Sequence, residues 1–299
     1  MSTFNVRLRK MHNFCKLMFN KSSYIPCNAK REFLKVAEGT IEYSRFGNGE
    51  PLVLVTGTAT SMNGWDLRFL DELAKSHEVI VFSNRNTGGS KFIPRDYTIE
   101  YLANDIESLR VGLNLSVISL VGISLGGAIA QQYAYMYPQN LKHLTLINTF
   151  PPGNLMVPPK AEVINILENI GKSKLPNYPS LVKLVLPSIW SFFTIAIFHF
   201  RTGGSKNSVP KSTLNEQVSI IKEWSTHANP ASILENIKVP TLVLVGEMDK
   251  LVPPTNSRIL KENIKYSKLI SFVSGVHILF FQYPQALAQA ITNDIMVSR

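Results

Sequence analysis

Short apolar runs recur along the chain from residue 33 onward, and each has the length of a buried β-strand. Before the first run, residues 33–46 alternate between apolar and polar side chains around Glu38 and Gly39, which predicts a β-hairpin. The later runs do not alternate, a pattern typical of strands that are covered on both faces. They lie at residues 52–56, 78–83, 117–121, 144–148, 241–245 and 268–272.

Between these runs the apolar positions recur with helical spacing. Ile99, Leu102, Ala103, Ile106 and Leu109, for example, share one face of a predicted helix. Further helical patterns cover residues 67–75, 126–137 and 284–296. Strands that alternate with helices predict an α/β fold with a mostly parallel central sheet flanked by helices.

One long stretch, residues 151–235, departs from this alternation. It begins with the sequence Pro-Pro-Gly, contains no clear strand pattern and includes an aromatic-rich segment at residues 189–200. We predict that it is a helical cap inserted into an α/β core formed by residues 32–150 and 236–299. Residues 184–198 carry no charge, but a membrane-spanning helix needs about 20 apolar residues, so no span is expected here.

The charge of the chain is concentrated in its first residues. The net charge is +10, yet residues 1–31 hold seven basic side chains and no acidic one, which leaves 31 − 7 = 24 basic against 21 acidic residues downstream. A body so nearly balanced has no electrostatic footprint for nucleic acid. Residues 1–31 are predicted to be a disordered basic leader, with peripheral membrane contact or organelle targeting as the alternative to a cytoplasmic location.

The two cysteines, Cys15 and Cys27, both lie in this leader. The remaining residues therefore offer no thiol for a disulfide or a metal site, and they contain no pair of histidines at helical ligand spacing. We expect neither a metal nor any other cofactor. The sequence makes no prediction about the oligomeric state.

The sharpest chemical motif is GISLGG at residues 122–127, which directly follows a predicted strand and directly precedes a predicted helix. A nucleophile on a tight strand-to-helix turn needs glycine two residues before and two residues after it, because side chains there would collide. This context predicts Ser124 as a nucleophile. The N–H of Leu125, at the start of the helix, is then placed to stabilise an oxyanion.

A serine hydroxyl needs a base, and the base needs a group that fixes its tautomer. His277 follows the last apolar run in the sequence Ser-Gly-Val-His, where its side chain can reach the carboxyl end of the sheet. Asp249 follows the run at residues 241–245 in Gly-Glu-Met-Asp. Ser124, Asp249 and His277 are therefore the predicted catalytic residues, in the chain order of an α/β nucleophile-elbow enzyme.

On these motifs, residues 33–299 resemble the α/β-hydrolase fold superfamily. Its members carry His-Gly-X after the third strand, where this chain has Thr56-Gly57-Thr58, and the resemblance implies that the N–H of Thr58 is the second oxyanion donor. The segment at residues 83–90, SNRNTGGS, is similar to the family's Asp-x-Arg-Gly-x-Gly-x-Ser, and Gln282 stands where the family tends to have Glu.

The resemblance implies acyl transfer to water without a cofactor, with a small-molecule substrate. Trp190, Phe192, Phe193 and Phe198 make the predicted cap apolar, so a carboxylic ester with an apolar acyl or alkyl group is the favoured substrate. These aromatic side chains either line the pocket or only pack the cap. A C–C bond hydrolase, a thioesterase, a prolyl aminopeptidase, an acyltransferase and a ligand-binding protein without turnover remain alternatives.

Overall fold

The computed structural model describes residues 29–93, 97–170, 184, 209–227 and 229–298. Within these residues nine strands form one sheet. The strands are β1 (Glu32–Val36), β2 (Gly39–Phe46), β3 (Glu50–Val55), β4 (His77–Phe82), β5 (Lys91–Phe92), β6 (Ile118–Ile123), β7 (Leu141–Ile147), β8 (Thr241–Gly246) and β9 (Ser267–Phe272).

The strand order is β1-β2-β4-β3-β6-β7-β8-β9, with the short β5 paired to β2. The pairs of β2 with β1, β4 and β5 are antiparallel, and every pair from β4 through β3 to β9 is parallel. The carboxyl ends of the parallel strands therefore meet at one edge of the sheet, and the loops that leave β3, β6, β7, β8 and β9 lie close together there.

Helices cover both faces of this sheet. They are α1 (Leu67–Leu73), α2 (Ile99–Gly112), α3 (Leu125–Met136), α4 (Ala161–Ile170), α5 (Lys211–Ser225), α6 (Pro230–Glu235), α7 (Thr255–Asn263), α8 (Leu279–Gln282) and α9 (Pro284–Val297). One apolar cluster joins the sheet to α2, α3 and α6, and a second cluster on the other face joins it to α1 and α9. The mostly parallel α/β architecture expected from the alternation of apolar patterns is confirmed.

The parallel strands differ in burial according to their place in the sheet. All residues of β6 and β8 are buried, whereas β9 at the edge exposes Lys268, Ile270 and Ser271. Most of the apolar runs in the sequence correspond to central strands, which have a neighbour on each side and helices on both faces. The run at residues 268–272 is the exception, because it forms the partly exposed edge strand β9.

The described part of the region predicted to be an inserted cap contains three α-helices, and residues 151–160 at its start form no α-helix. Helices α4, α5 and α6 lie between β7 and β8, and no strand occurs among the described residues of this stretch. Trp190, Phe192, Phe193 and Phe198 lie outside the described residues, as does most of the predicted leader. Over the part of the chain that the structure describes, none of the helices combines the length and the apolar character needed to cross a membrane.

Candidate active site

Ser124 lies on the sharp turn between β6 and α3. Its backbone has φ 54° and ψ −124°, a conformation that L residues rarely adopt. A Cβ atom added to Gly122 would lie 2.3 Å from the carbonyl oxygen of Gly126, and one added to Gly126 would lie 2.3 Å from the carbonyl oxygen of Val55. The backbone therefore packs too closely at both positions for any residue other than glycine. This agrees with the expectation from the sequence that side chains two residues before and after Ser124 would collide.

The backbone of Ser124 is held from two sides. Its N–H donates to the carbonyl oxygen of Ile147 at 3.1 Å, and its carbonyl oxygen accepts from the Thr149 hydroxyl at 2.6 Å. The hydroxyl of Ser124 does not cap the helix that begins at the next residue. These contacts hold the strained turn through the backbone atoms of Ser124 and do not use its hydroxyl.

The two predicted oxyanion donors flank this serine. Leu125 is the first residue of α3, and the N–H groups in the first turn of a helix have no partner inside the helix. Gly57 packs against Ser124, since a Cβ added to Gly57 would lie 3.1 Å from the Cβ and 3.7 Å from the Oγ of Ser124. Thr58 is the next residue in this loop, so the region expected to supply both donors lies next to the serine.

His277 and Asp249 form a hydrogen-bonded pair. The distance from His277 Nδ1 to Asp249 Oδ2 is 2.7 Å, and the two residues are only 5% and 4% exposed. The other carboxylate oxygen, Oδ1, accepts from the N–H groups of Leu251 at 2.8 Å and Val252 at 2.9 Å. Because both oxygens have partners, the carboxylate is fixed in orientation and can hold the imidazole in one orientation and tautomer.

Asn148, at the end of β7, connects the loops that carry these residues. Its Nδ2 donates to the carbonyl oxygens of Val276 at 3.0 Å and His277 at 2.7 Å, and its Oδ1 accepts from the N–H of Gly246 at 2.8 Å. Its φ of 41° is one that Asn tolerates better than most residues. Since Ile147 and Thr149 hold Ser124, this short segment brings the serine loop and the His277 loop to the same edge of the sheet.

Gln282 supports the His277 loop from the other side. Its Oε1 accepts from the N–H of Val276 at 2.9 Å, and its Nε2 donates to the carbonyl oxygen of Ser274 at 2.7 Å. An acceptor is therefore present where the family tends to have Glu. Pro284, two residues later, begins α9 and needs no hydrogen bond to its nitrogen at that position.

The segment at residues 83–90 borders the loop that contains Thr58. Asn84 donates through Nδ2 to the carbonyl oxygen of Thr56 at 3.1 Å, which ties the two loops together. Arg85 donates from two nitrogens to Asp105, at 3.0 and 2.7 Å, and its guanidinium lies over the ring of Phe92. Burial raises the pKa of Asp105 to about 6, while Arg85 opposes that rise.

Glu42 of β2 accepts hydrogen bonds from the same segment, residues 83–90. Its Oε2 accepts from the Ser83 hydroxyl at 2.7 Å and from the N–H of Gly89 at 2.6 Å, and the residue is fully buried. Ser83, which stands where the family has Asp, thus acts as a donor to a carboxylate supplied by another strand.

Sequence reasoning identified Ser124, His277 and Asp249 as candidates but did not identify Asn148. The sequence feature that pointed to Asn148 was an Asn as the last residue of the apolar run at residues 144–148, which also fits an ordinary turn residue. No group of three His, Cys, Asp or Glu side chains is arranged to hold a metal ion among the residues described.

Comparison with known proteins agrees with this geometry. Residues 50–182 match the model of the alpha/beta hydrolase fold family. Together with the sheet order and the sharp turn at Ser124 described above, this match shows that the chain has the α/β-hydrolase fold and is similar to α/β hydrolases.

The similar proteins differ in activity. The chain is 27% identical over 259 residues to a poly(3-hydroxyalkanoate) depolymerase of Ectopseudomonas oleovorans, covering 83% of this chain and 85% of that protein. It is 26% identical over 284 residues to the proline iminopeptidase PfmaB of Pestalotiopsis fici, covering 88% and 99%. A thermophilic esterase of Thermogutta terrifontis superposes with a TM-score of 0.74 at 23% identity, covering 90% and 99%.

Proposed function

We propose that the protein is a serine hydrolase that cleaves carboxylic esters with an apolar acyl or alkyl group. Ser124 is the nucleophile, His277 the general base and acid, and Asp249 the residue that orients the imidazole. The observation that carries this proposal is the 2.7 Å His277–Asp249 contact, linked through the segment at residues 147–149 to the strained turn of Ser124.

In the acylation step, the Oγ of Ser124 attacks the carbonyl carbon of the ester while Nε2 of His277 takes the hydroxyl proton. The negative charge that develops on the carbonyl oxygen accepts hydrogen bonds from the N–H groups of Leu125 and Thr58. The tetrahedral intermediate then collapses and the bond to the alkoxide breaks. His277 returns its proton to this leaving group, which departs as the alcohol, and the acyl group stays on Ser124.

In the deacylation step, a water molecule takes the place of the alcohol. His277 removes one of its protons, the hydroxide attacks the acyl carbon, and the second tetrahedral intermediate releases the carboxylic acid. The proton on His277 returns to Ser124 Oγ. Throughout, the ionised Asp249 stabilises the imidazolium without being protonated, so the chemistry requires no cofactor.

The apolar character of the substrate is supported by the sequence of the predicted cap, and the ester class is supported by the similar proteins. Residues 184–200 are apolar and rich in aromatic side chains, among them Trp190, Phe192, Phe193 and Phe198. One of the similar solved structures is that of an esterase. Burial of each additional methylene contributes about 0.8 kcal/mol, so we expect specificity to rise about threefold to fourfold per carbon until the pocket is filled.

The test is kcat/KM for p-nitrophenyl acetate, butyrate, octanoate and palmitate, measured on the wild type and on Ser124→Ala. We expect a rising profile in the wild type and a loss of at least ~10³-fold in the Ala variant, which lacks the attacking oxygen. A flat or falling profile would overturn the apolar substrate. Full activity of the Ala variant would overturn the serine mechanism.

A further inference from the structure

Helix α5, in the stretch between β7 and β8, has a buried face of mixed character. Ile220 and Trp224 in its second half belong to the apolar core, whereas the buried residues of its first half, Thr213 and Gln217, are polar. Polar side chains are buried at a cost unless they have partners. The hydrogen-bond partners of Thr213 and Gln217 therefore show which parts of the molecule the first half of α5 contacts.

Gln217 contacts the loop that follows β3. Its Oε1 accepts a hydrogen bond from the N–H of Ala59 at 2.8 Å, and the residue is 1% exposed. Ala59 is the residue directly after Thr58. The backbone of Ala59 has a φ of 59°, which is unfavourable for a residue with a Cβ and persists only where the surroundings hold it.

The same end of α5 also contacts the segment that follows β4. The hydroxyl of Thr213 lies 3.4 Å from the carbonyl oxygen of Asn86, and the hydroxyl of Tyr97 donates to the carbonyl oxygen of Arg85 at 2.8 Å. Burial raises the pKa of Tyr97, and the neighbouring Gln217 amide opposes that rise. Gln217 thus lies between the loop that carries Thr58 and the segment that braces it.

We infer that Gln217 is a positioning residue, which holds the N–H of Thr58 at the place where the carbonyl oxygen of the substrate becomes negatively charged. Without an acceptor for the N–H of Ala59, the peptide between Thr58 and Ala59 keeps only the hydrogen bond from the Thr60 hydroxyl to the carbonyl oxygen of Thr58, at 2.9 Å. The loop that carries Thr58 is then held less firmly. The inference rests on the proposed serine hydrolase function and adds a residue from the predicted cap to the oxyanion site. A displacement of about 1 Å at such a site can cost about 10²-fold in rate.

The test compares Gln217→Met, which has a similar length but no acceptor oxygen, with Gln217→Glu, which keeps one. Ile220→Val, on the same buried face of α5, is the matched control for packing of the helix. We expect kcat for p-nitrophenyl butyrate to fall about 10- to 100-fold in the Met variant with KM within about threefold, because an oxyanion donor acts in the transition state. The Glu variant should retain most of kcat, and the Val variant should behave like the wild type.

A second measurement separates positioning from a loss of stability. An alkyl boronic acid forms a tetrahedral adduct with the serine and places an oxygen in the oxyanion site, so its inhibition constant should rise in the Met variant by about the same factor as kcat falls. Gln217→Leu, which also lacks an acceptor, gives the same comparison if the Met variant does not fold.

Two outcomes would overturn the inference while leaving the hydrolase proposal intact. In the first, Gln217→Met has the same kcat as the wild type. In the second, Gln217→Met and Gln217→Glu lose kcat equally. If the wild type hydrolyses no ester and Ser124 does not react with the boronic acid, the proposed function itself is overturned, and the role of Gln217 with it.

Discussion

Among the residues that the structure describes, two buried histidine–aspartate pairs lie in different parts of the fold, and one of these two is part of the candidate site. His277 and Asp249 are 2.7 Å apart in loops that follow β9 and β8. His143 of β7 and Asp294 of α9 are 2.9 Å apart. Both pairs join an imidazole to a carboxylate, so the contact alone does not make an acid–base catalyst.

The surroundings of the two pairs explain the difference. Asp294 is shared with Lys268, whose Nζ lies 2.8 Å from its other oxygen, and His143 lies within a strand with its Nδ1 buried and without a partner in the described residues. His277 instead lies on a loop that Asn148 connects to the Ser124 turn. We therefore expect that, of these two pairs, the one that Asn148 connects to the Ser124 turn serves proton transfer.

The largest effect should distinguish the two carboxylates. Asp249→Asn should lower kcat by about 10³- to 10⁴-fold, because an amide no longer favours the productive tautomer of His277 or stabilises its charged form. Asp294→Asn should keep kcat per folded molecule within about twofold and lower the melting temperature. Kinetics with p-nitrophenyl butyrate and thermal unfolding check both variants, and equal losses of kcat would contradict the comparison.

A smaller effect should follow from loosening the connection between the loops. Asn148→Gly keeps the backbone conformation accessible but leaves two carbonyl oxygens and the N–H of Gly246 without their partners. We expect kcat to fall about 10-fold or more, with a loss of stability of about 1 to 3 kcal/mol for buried groups left unpaired.

The matched control for this variant is Asn114→Gly, because Asn114 has a φ of 55° on an exposed turn after α2. Asn114→Gly should change neither kcat nor KM. A similar kcat for the two glycine variants and the wild type would mean that Asn148 has no role in positioning His277.

The smallest effect concerns pH and stability at the second pair. Burial lowers the pKa of His143, and the Asp294 carboxylate opposes this effect. As the pH falls, this histidine therefore takes up a proton at a higher pH in the unfolded chain than in the folded chain. The free energy of unfolding then decreases as the pH falls below about 6.5. The loss amounts to at most about 1.4 kcal/mol per pH unit for one proton.

His143→Gln should make the free energy of unfolding less dependent on pH between pH 7 and 5. Urea unfolding at several pH values measures this dependence. An unchanged slope in the Gln variant would show that His143 does not contribute to the acid sensitivity of the protein.

The sequence predicted the elements whose signals are local. The hairpin around Glu38 and Gly39, the apolar runs that became β6 and β8, and the glycines around Ser124 each follow from spacing within a few residues. The fold class followed from the alternation of these elements, since an apolar run covered on both faces needs helices above and below it.

Contacts between distant residues could not be predicted in this way. Gln217 bonds to a residue 158 positions away, and Asn148 bonds to residues 98 and 129 positions away. Neither residue belongs to a periodic pattern that distinguishes it from an ordinary polar side chain. The short β5 was also missed, because two residues are too few for a hydrophobic pattern and the strand forms only by pairing with β2.

We propose above that Ser124 is a nucleophile activated by the His277–Asp249 pair. The most direct test is to treat the protein with a fluorophosphonate probe and locate the adduct by mass spectrometry, comparing the rate in the wild type and in Asp249→Asn. We expect one adduct, on Ser124, which forms much more slowly in the Asn variant. An adduct on another serine, or no reaction of the wild type, would contradict the proposal.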